Sequence, residues 1–506
     1  MKARRGVGLV AVAARLARLG LLTPANIVQL AAAVARDGGN LAALLTIAAA
    51  RDGDRLAIVD PVERLTYRAL AGQVQALAAT LRRDHAIGPG SNVALSCRNS
   101  AAGARMLFAI ARTGANLFLL DPDAGDRQRR ALDARYRFDL VLDDADSMAG
   151  AACPPSARLP RARGGAIVVL TGGTTSEGRA ARRRQAAAGF VHPFVALVGT
   201  LHLDRYDRVL LATPMFHGFG LAALVVGTVL GKTIHLMPRF DAAAACALVA
   251  RERIAAMAVV PVMLRRMLVH DADALATLRC IACGGAPLGA VLAQATRDRL
   301  GEVLFNLYGT SEAGLCAVAT PAQLAAAPDT IGTLIGGACA VIRDDAGVVP
   351  AGVVGRLCVR NVAAVDPRAW IDTGDLARRG DDGLFYLAGR SDEMIVSGGE
   401  NVYPVVLEGI LERHPSVRAA AVIGVADAEF GQRLKAFVVL DPGSATTGAG
   451  LSTWLVPLVA RHERPVAIVT VDDLPLTAIG KVDKRALAVP PGGSAPVPVP
   501  PRTDKA

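Results

Sequence analysis

Two charged residues, Asp375 and Arg390, flank a short turn in the stretch DTGDLARRGDDGLFYLAGRSDEMIVSGGENVYP, residues 372–404. The turn is Asp381-Asp382-Gly383, and its polar and apolar flanks predict a β-hairpin. A carboxylate accepts hydrogen bonds and a guanidinium donates them, so the pair can grip neighbouring hydroxyls such as those of a ribose. A second stretch, Thr171-Gly172-Gly173-Thr174-Thr175-Ser176-Glu177-Gly178-Arg179, follows the apolar strand pattern Ala166 to Leu170. Its glycines and hydroxyls offer N–H and O–H donors to phosphate oxygens. The GxxxxGK[ST] spacing of a P-loop is missing, which disfavours that class of nucleotide enzyme. A polar surface turn is the plain alternative for this stretch, and a hairpin with a surface loop for the first.

Taken in chain order, these stretches resemble those of the adenylate-forming enzymes, the superfamily of acyl-CoA synthetases, peptide-synthetase adenylation domains and luciferases. The resemblance runs over about residues 55–487. It implies that Asp375 and Arg390 hold the ATP ribose, that Asp392 is a hinge, and that the loop Ser397, Gly398, Gly399, Glu400 and Asn401 enters the site for a second half-reaction. Thr171, Gly172, Gly173, Thr174, Thr175 and Ser176 correspond to the family's phosphate loop, usually [ST]SG[ST]TGxPK. Here Ser176 replaces a glycine, Gly178 a proline and Arg179 a lysine. Arginine keeps the positive charge but presents a planar fork. The arginines at 182–184 read as a solvated basic face, with pyrophosphate or membrane contact as the other reading.

Further stretches fit the same order. Met215-Phe216-His217-Gly218-Phe219-Gly220 is similar to PxFHxxG, which places His217 and Gly284 at the acyl site. No aspartate follows where amino-acid-activating members hold the substrate amine, so a plain carboxylic acid is implied. Small residues at Gly284, Gly285, Ala286 and Pro287 let a flat adenine lie against backbone, and Tyr308 can stack on it. Asn306, Tyr308, Gly309 and Thr310 lead into Glu312, a hard oxygen ligand suited to Mg²⁺, with Thr175 as the second implied metal contact. Pro475 to Lys481, PLTAIGK, is similar to PxTxxGK, whose lysine meets the substrate carboxylate and α-phosphate. Lys481, Glu312, Arg179 and Thr175 are therefore the implied catalytic set.

The elements that must position these residues follow from periodicity. Strands at 92–95, 115–120, 166–170, 209–212, 233–237 and 256–260 alternate with helical patterns, which predicts a parallel sheet with helical crossovers. Short strands between glycine turns from Val341 to Asn361 predict a β-rich module. Beyond Asp392 the pattern becomes compact α+β. The fold class expected is α/β: a large N-terminal domain of parallel-type layers with a β-rich submodule, plus a small mobile C-terminal α+β domain. Expected boundaries are an N-terminal helical extension at 1–50, the main domain at 51–391, the C-terminal domain at 392–488 and a disordered proline-rich tail at 489–506.

A chain of 506 residues is too long for one ordinary core. The net charge of +11 comes from arginines spread along the chain, without any nucleic-acid-binding motif, and favours anionic small ligands. Cys280 and Cys283 form a lone CxxC without a second pair, so buried reduced thiols in a cytoplasmic protein are expected in place of a metal site. The N-terminal MKARRGVGLVAVAARLARLGLL reads as an amphipathic helix with an arginine face. It either docks on its own domain or lies peripherally on a membrane. The expected activity is that of a fatty acyl-CoA synthetase acting on a medium- or long-chain acid with ATP, Mg²⁺ and coenzyme A. A homodimer is compatible with this reading. Two alternatives stand beside it: an acyl-AMP ligase loading a carrier protein, and an acyl- or nucleotide-binding homologue that has lost turnover.

Overall fold

The computed structural model describes residues 16–17, 23–145, 159–162, 164–171, 179–184, 187–397, 400–427, 431–477 and 480–488; for Thr171, residues 179–181, 183–184 and 187–190, and Asn401, it describes the backbone alone. The expectations for the N-terminal helix, for residues 172–178, for Gly398 and Gly399 and for the proline-rich tail fall outside the described residues. Two compact units divide the chain, Met1–Leu387 and Ala388–Ala506. The division falls just ahead of Arg390 and Asp392.

In the first unit the strands Leu304–Thr310, Cys280–Gly284, Ala256–Val259, Arg208–Leu211, Thr233–Leu236 and Leu56–Val59 lie side by side and parallel. The helices Gly218–Val229, Ala242–Glu252, Pro261–Asp271 and Ala290–Leu300 connect successive strands, as parallel pairing requires. Beyond Leu304–Thr310 the same sheet turns antiparallel through Gly314–Ala319 and Thr330–Leu334. It ends in the meander Cys339–Arg343, Gly355–Arg360, Ile371–Arg379 and Phe385–Arg390. That meander is the β-rich module, and Asp381-Asp382-Gly383 is its last hairpin turn. A separate five-stranded sheet has the order Leu140–Asp143, Asn92–Ser96, Asn116–Leu119, Ala166–Thr171, Arg179–Arg184.

Local chemistry explains the helix ends. Thr66 caps Tyr67–Asp84, Ser100 caps Ala101–Thr113 and Asn40 caps Leu41–Asp52, each accepting a backbone N–H three residues on. The helix Ala101–Thr113 is buried along nearly its whole circumference, which its alanines permit because they add little girth. Cys280 and Cys283 lie in one strand three residues apart and so face opposite ways, into two different apolar clusters. Both thiols are buried and free, and burial pushes Cys280 up to about 12.

Arg179–Arg184 is a strand paired antiparallel with Ala166–Thr171, Thr171 standing opposite Arg179. The glycine-rich stretch therefore joins two adjacent strands, which fixes both of its ends. Arg182 is exposed.

The second unit has an antiparallel core of Val417–Asp427 and Gly431–Leu440; Ala467–Thr470 pairs parallel with Gly431–Leu440, and the short hairpin Ile395–Ser397/Glu400–Val402 joins the same strand at Gly431. Pro404–Leu411 and Gly448–Leu455 pack on this sheet through Leu407, Leu411, Leu451 and Leu455. Among the described residues no helix is long and apolar enough to cross a membrane.

Candidate active site

Three of the chemistry-bearing stretches leave the carboxyl ends of neighbouring parallel strands. Thr213 to Gly220 follows Arg208–Leu211, Gly284 to Pro287 follows Cys280–Gly284, and Tyr308 to Glu312 closes Leu304–Thr310. Crevices outside the carboxyl ends of parallel strands are where α/β sheets take ligands. The pairing Cys283↔Asn306 and Gly284↔Leu307 sets the second stretch beside the third.

Tyr308 and Asp375 meet directly, the phenol donating to Asp375 Oδ2 at 2.5 Å. The Tyr308 ring is 8% exposed and sits among Ala313, Cys316, Ala377 and Phe385. Burial, reinforced by the Asp375 carboxylate, raises the phenol far above its ordinary value, so it stays a neutral donor. The Asp375 backbone N–H donates to Thr373 Oγ1, which donates in turn to Leu357 O. Asp375 itself is half-buried. The visible work of Tyr308 is to fix this carboxylate.

Glu312 lies half-buried in the tight turn after Thr310. Thr310 Oγ1 accepts the Ala313 N–H at 3.0 Å, and Glu312 O accepts Val365 N–H at 2.9 Å. The segment after Asn361 therefore supports the turn. Asn361 is 1% exposed; its amide donates to Leu315 O and its carbonyl oxygen accepts from Ala363 N–H. Asn306 points inward and donates to Thr330 O.

His217 precedes the helix Gly218–Val229 with its ring 4.6 Å from that of Phe216. Asn99 fixes this segment. Its amide donates to Leu211 O and Thr213 O, and its Oδ1 accepts Met215 N–H at 2.7 Å. Sequence reasoning passed over Asn99 because an asparagine after a strand reads as an ordinary turn residue. Two of the glycines here answer to backbone packing. A Cβ on Gly220 would lie 2.1 Å from Pro214 O, and one on Gly284 2.8 Å from Leu307 O, so close backbone packing demands both. Gly218 has open space around it, and Gly285 takes φ +83.

The second unit carries Arg390, Asp392, the Ser397–Asn401 hairpin and Lys481. Arg390 forks onto Asp392, Nε to Oδ1 at 2.8 Å and Nη2 to Oδ2 at 3.0 Å. Ser397 is buried and pairs with exposed Glu400. Lys481 is exposed on a tight turn: Thr477 N–H donates to Lys481 O, Gly480 N–H to Thr477 O, and Leu476 bridges Val482. Three residues on, Lys484 Nζ reaches Glu393 Oε2 at 2.8 Å and Glu408 Oε1 at 2.9 Å, and the latter oxygen also accepts Val422 N–H. Burial opposes the charge on Lys484, but Glu408 and Glu393 outweigh it and hold its pKa above the ordinary lysine value. This anchor was missed; a lysine beside PLTAIGK carries no signal of burial.

The family model described as AMP-binding enzyme matches residues 45–153 and 133–365, and that described as AMP-binding enzyme C-terminal domain matches 406–481. A feruloyl-CoA synthase of Amycolatopsis is 34% identical over 304 residues, covering 55% of this chain and 60% of the relative. A fatty acid–[acyl-carrier-protein] ligase of Streptomyces coeruleorubidus is 32% identical over 305 residues, covering 56% and 58%. The chain thus spans about 60% of the length of curated relatives it matches. Among solved structures, an amide bond synthetase from Marinactinospora thermotolerans superposes with a TM-score of 0.77 at 25% identity, covering 88% of this chain and 99% of the other.

Proposed function

We propose that this chain, which belongs to the AMP-binding enzyme family, is an ATP-dependent acid–thiol ligase. It joins a carboxylic acid to ATP as an acyl-adenylate with release of pyrophosphate, then transfers the acyl group to coenzyme A with release of AMP. The observation that carries the reading is the Tyr308–Asp375 pair, a preset carboxylate beside the carboxyl ends of the parallel strands. A buried phenol that holds a carboxylate presets its orientation, and a preset carboxylate accepts the ribose hydroxyls of ATP.

Each further residue has an assigned part. The backbone of Gly284 to Pro287 takes the adenine, and the Thr171–Arg179 stretch between its paired strands takes the phosphates. A single carboxylate in a braced, half-buried turn suits Mg²⁺, which takes its remaining ligands from phosphate and water; Glu312 would hold it, with Thr175, and the ion would offset phosphate charge. Among the described residues there is no group of three or more acidic, histidine or cysteine side chains, as fits an ion held mainly by its nucleotide. Lys481 supplies positive charge where the acid carboxylate meets the α-phosphate. The Ser397–Asn401 hairpin serves the thiol step, with Asp392 as hinge between the two.

The acid is a medium- or long-chain fatty acid. The arginine run after the phosphate stretch resembles that of fatty-acid members and supports this class, while the lack of an amine-binding aspartate after His217 supports a plain carboxylic acid. The similarity to a fatty acid–[acyl-carrier-protein] ligase favours one second reading, in which the acceptor is a carrier protein. Pyrophosphate release measured with a panel of fatty, aryl and dicarboxylic acids, with and without coenzyme A, tests both points. Fatty-acid-dependent release and a coenzyme A thioester are expected. Release with aryl acids alone overturns the acid class, and adenylate without thioester overturns the acceptor.

A further inference from the structure

The helix Pro24–Asp37 faces the wrong way for a surface helix. Thr23 caps it by accepting Asn26 N–H, Pro24 opens it and Gly38 ends it with φ 88. Its buried positions are Asn26, Ala33 and Asp37, with Gln29 half-buried between them, one face at spacings of three and four. That inward face is largely polar. Asp37 is 0% exposed and meets Arg112 Nε at 3.2 Å and Thr46 Oγ1 at 2.8 Å. Asn40 seals the corner by donating to Asp37 O and Ala162 O. A Cβ on Gly38 would lie 1.9 Å from Ala162 O, so no side chain fits at that junction.

The outward face is apolar. Val28 is 68% exposed, Ile27 49% and Leu30 40%, with Ala31, Ala32 and Ala35 also exposed around them. A buried ion pair thus holds the polar side in, and a continuous apolar strip stands in the solvent. Contiguous apolar patches of this kind mark a contact surface.

Charge says which contact. Before Asp37 the chain has Lys2, Arg4, Arg5, Arg15, Arg18 and Arg36 and no aspartate or glutamate. Residues 7–22 are otherwise apolar. An apolar strip joined to an all-basic segment matches a surface that is apolar within and anionic at its edge. We infer that the outward face of Pro24–Asp37 docks the protein on an anionic lipid surface.

The inference does not depend on the ligase reading. Co-sedimentation of the full chain with vesicles of phosphatidylglycerol and phosphatidylcholine, against vesicles of phosphatidylcholine alone, tests it at low and high salt. Binding to the anionic vesicles, weakened by salt, is expected. The triple variant Ile27→Ser, Val28→Ser, Leu30→Ser should bind roughly tenfold less while its melting temperature stays unchanged. Absence of the full chain from the anionic pellet at low salt overturns the inference. So does equal binding to both vesicles, or a triple variant that binds like the wild type. If the wild type stays in solution and the triple variant melts lower or loses a dimer, the face is covered by the chain's own first residues or by a second copy.

Discussion

The Tyr308–Asp375 corner of the first unit and the Lys481–Lys484 corner of the second are built in opposite ways. In the first, the group assigned to the ligand is a carboxylate braced by a buried phenol. In the second, the group assigned to the reaction, Lys481, is exposed, and the braced residue is its neighbour Lys484. One corner presets a binding geometry. The other fixes the base of a turn and leaves its tip to be delivered. The difference teaches where tolerance to change should lie: the preset corner should fail in affinity, the delivered corner in one step of turnover.

Asp375→Ala should show the largest effect. It removes the acceptor for ribose hydroxyls and strands the buried Tyr308 phenol, so ATP and AMP affinity should both fall on the order of 100-fold or more by calorimetry. Normal affinity for both nucleotides would take Asp375 out of the site. Tyr308→Phe should cost only about tenfold, because the carboxylate remains and loses one brace.

Lys484→Met sharpens the contrast from the other side. It leaves Glu408 and Glu393 without their shared cation, so the turn that carries Lys481 loses its anchor. Pyrophosphate release should slow roughly 30-fold in kcat with little change in the KM for ATP, and Lys484→Arg should restore most of it. Equal losses in kcat and in both half-reactions, without rescue by arginine, would make Lys484 a purely structural residue.

The two units should also part company in pH. His235 is 1% exposed, and burial, only partly opposed by Glu252, pushes it down to about 4. The unfolded chain takes up this proton below about 6.5 while the folded first unit refuses it, so stability is complete above that pH and falls toward 4, by about 2 kcal/mol at pH 5. Lys484 has a raised pKa, so its contribution is complete below the ordinary lysine value and is lost as pH rises through the folded one. Melting curves of His235→Leu should lose part of the acid slope between pH 7 and 5; an unchanged slope would exclude this histidine as its source.

Much of this was legible in the sequence where one residue type answers one local demand. Thr66 reads as a cap and is one; Asp381-Asp382-Gly383 reads as a hairpin turn and is one. Strands such as Ala256–Val259 carry their burial in their composition. What escaped depends on contacts far apart in the chain. Asn99 holds a segment more than a hundred residues away, and Lys484 meets Glu393 across the second unit. Neither leaves a periodic trace. The backbone packing that demands Gly220 and Gly284 leaves no mark either, because a glycine beside a ligand and one that lets two backbones touch are written alike. The arginine run shows only its charge in the sequence, while its pairing with Ala166–Thr171 leaves no local mark.

The account's central claim is that Lys481 and the Ser397–Asn401 hairpin serve different half-reactions, and the most direct test supplies each half separately. Lys481→Ala should make little acyl-adenylate from acid and ATP, a loss on the order of 1000-fold, yet convert supplied acyl-adenylate and coenzyme A to thioester at close to the wild-type rate. Gly399→Leu should release pyrophosphate normally in a single turnover and form little thioester, because a side chain there would obstruct the thiol arm. If both variants lose the same half-reaction to the same degree, the division of labour is wrong.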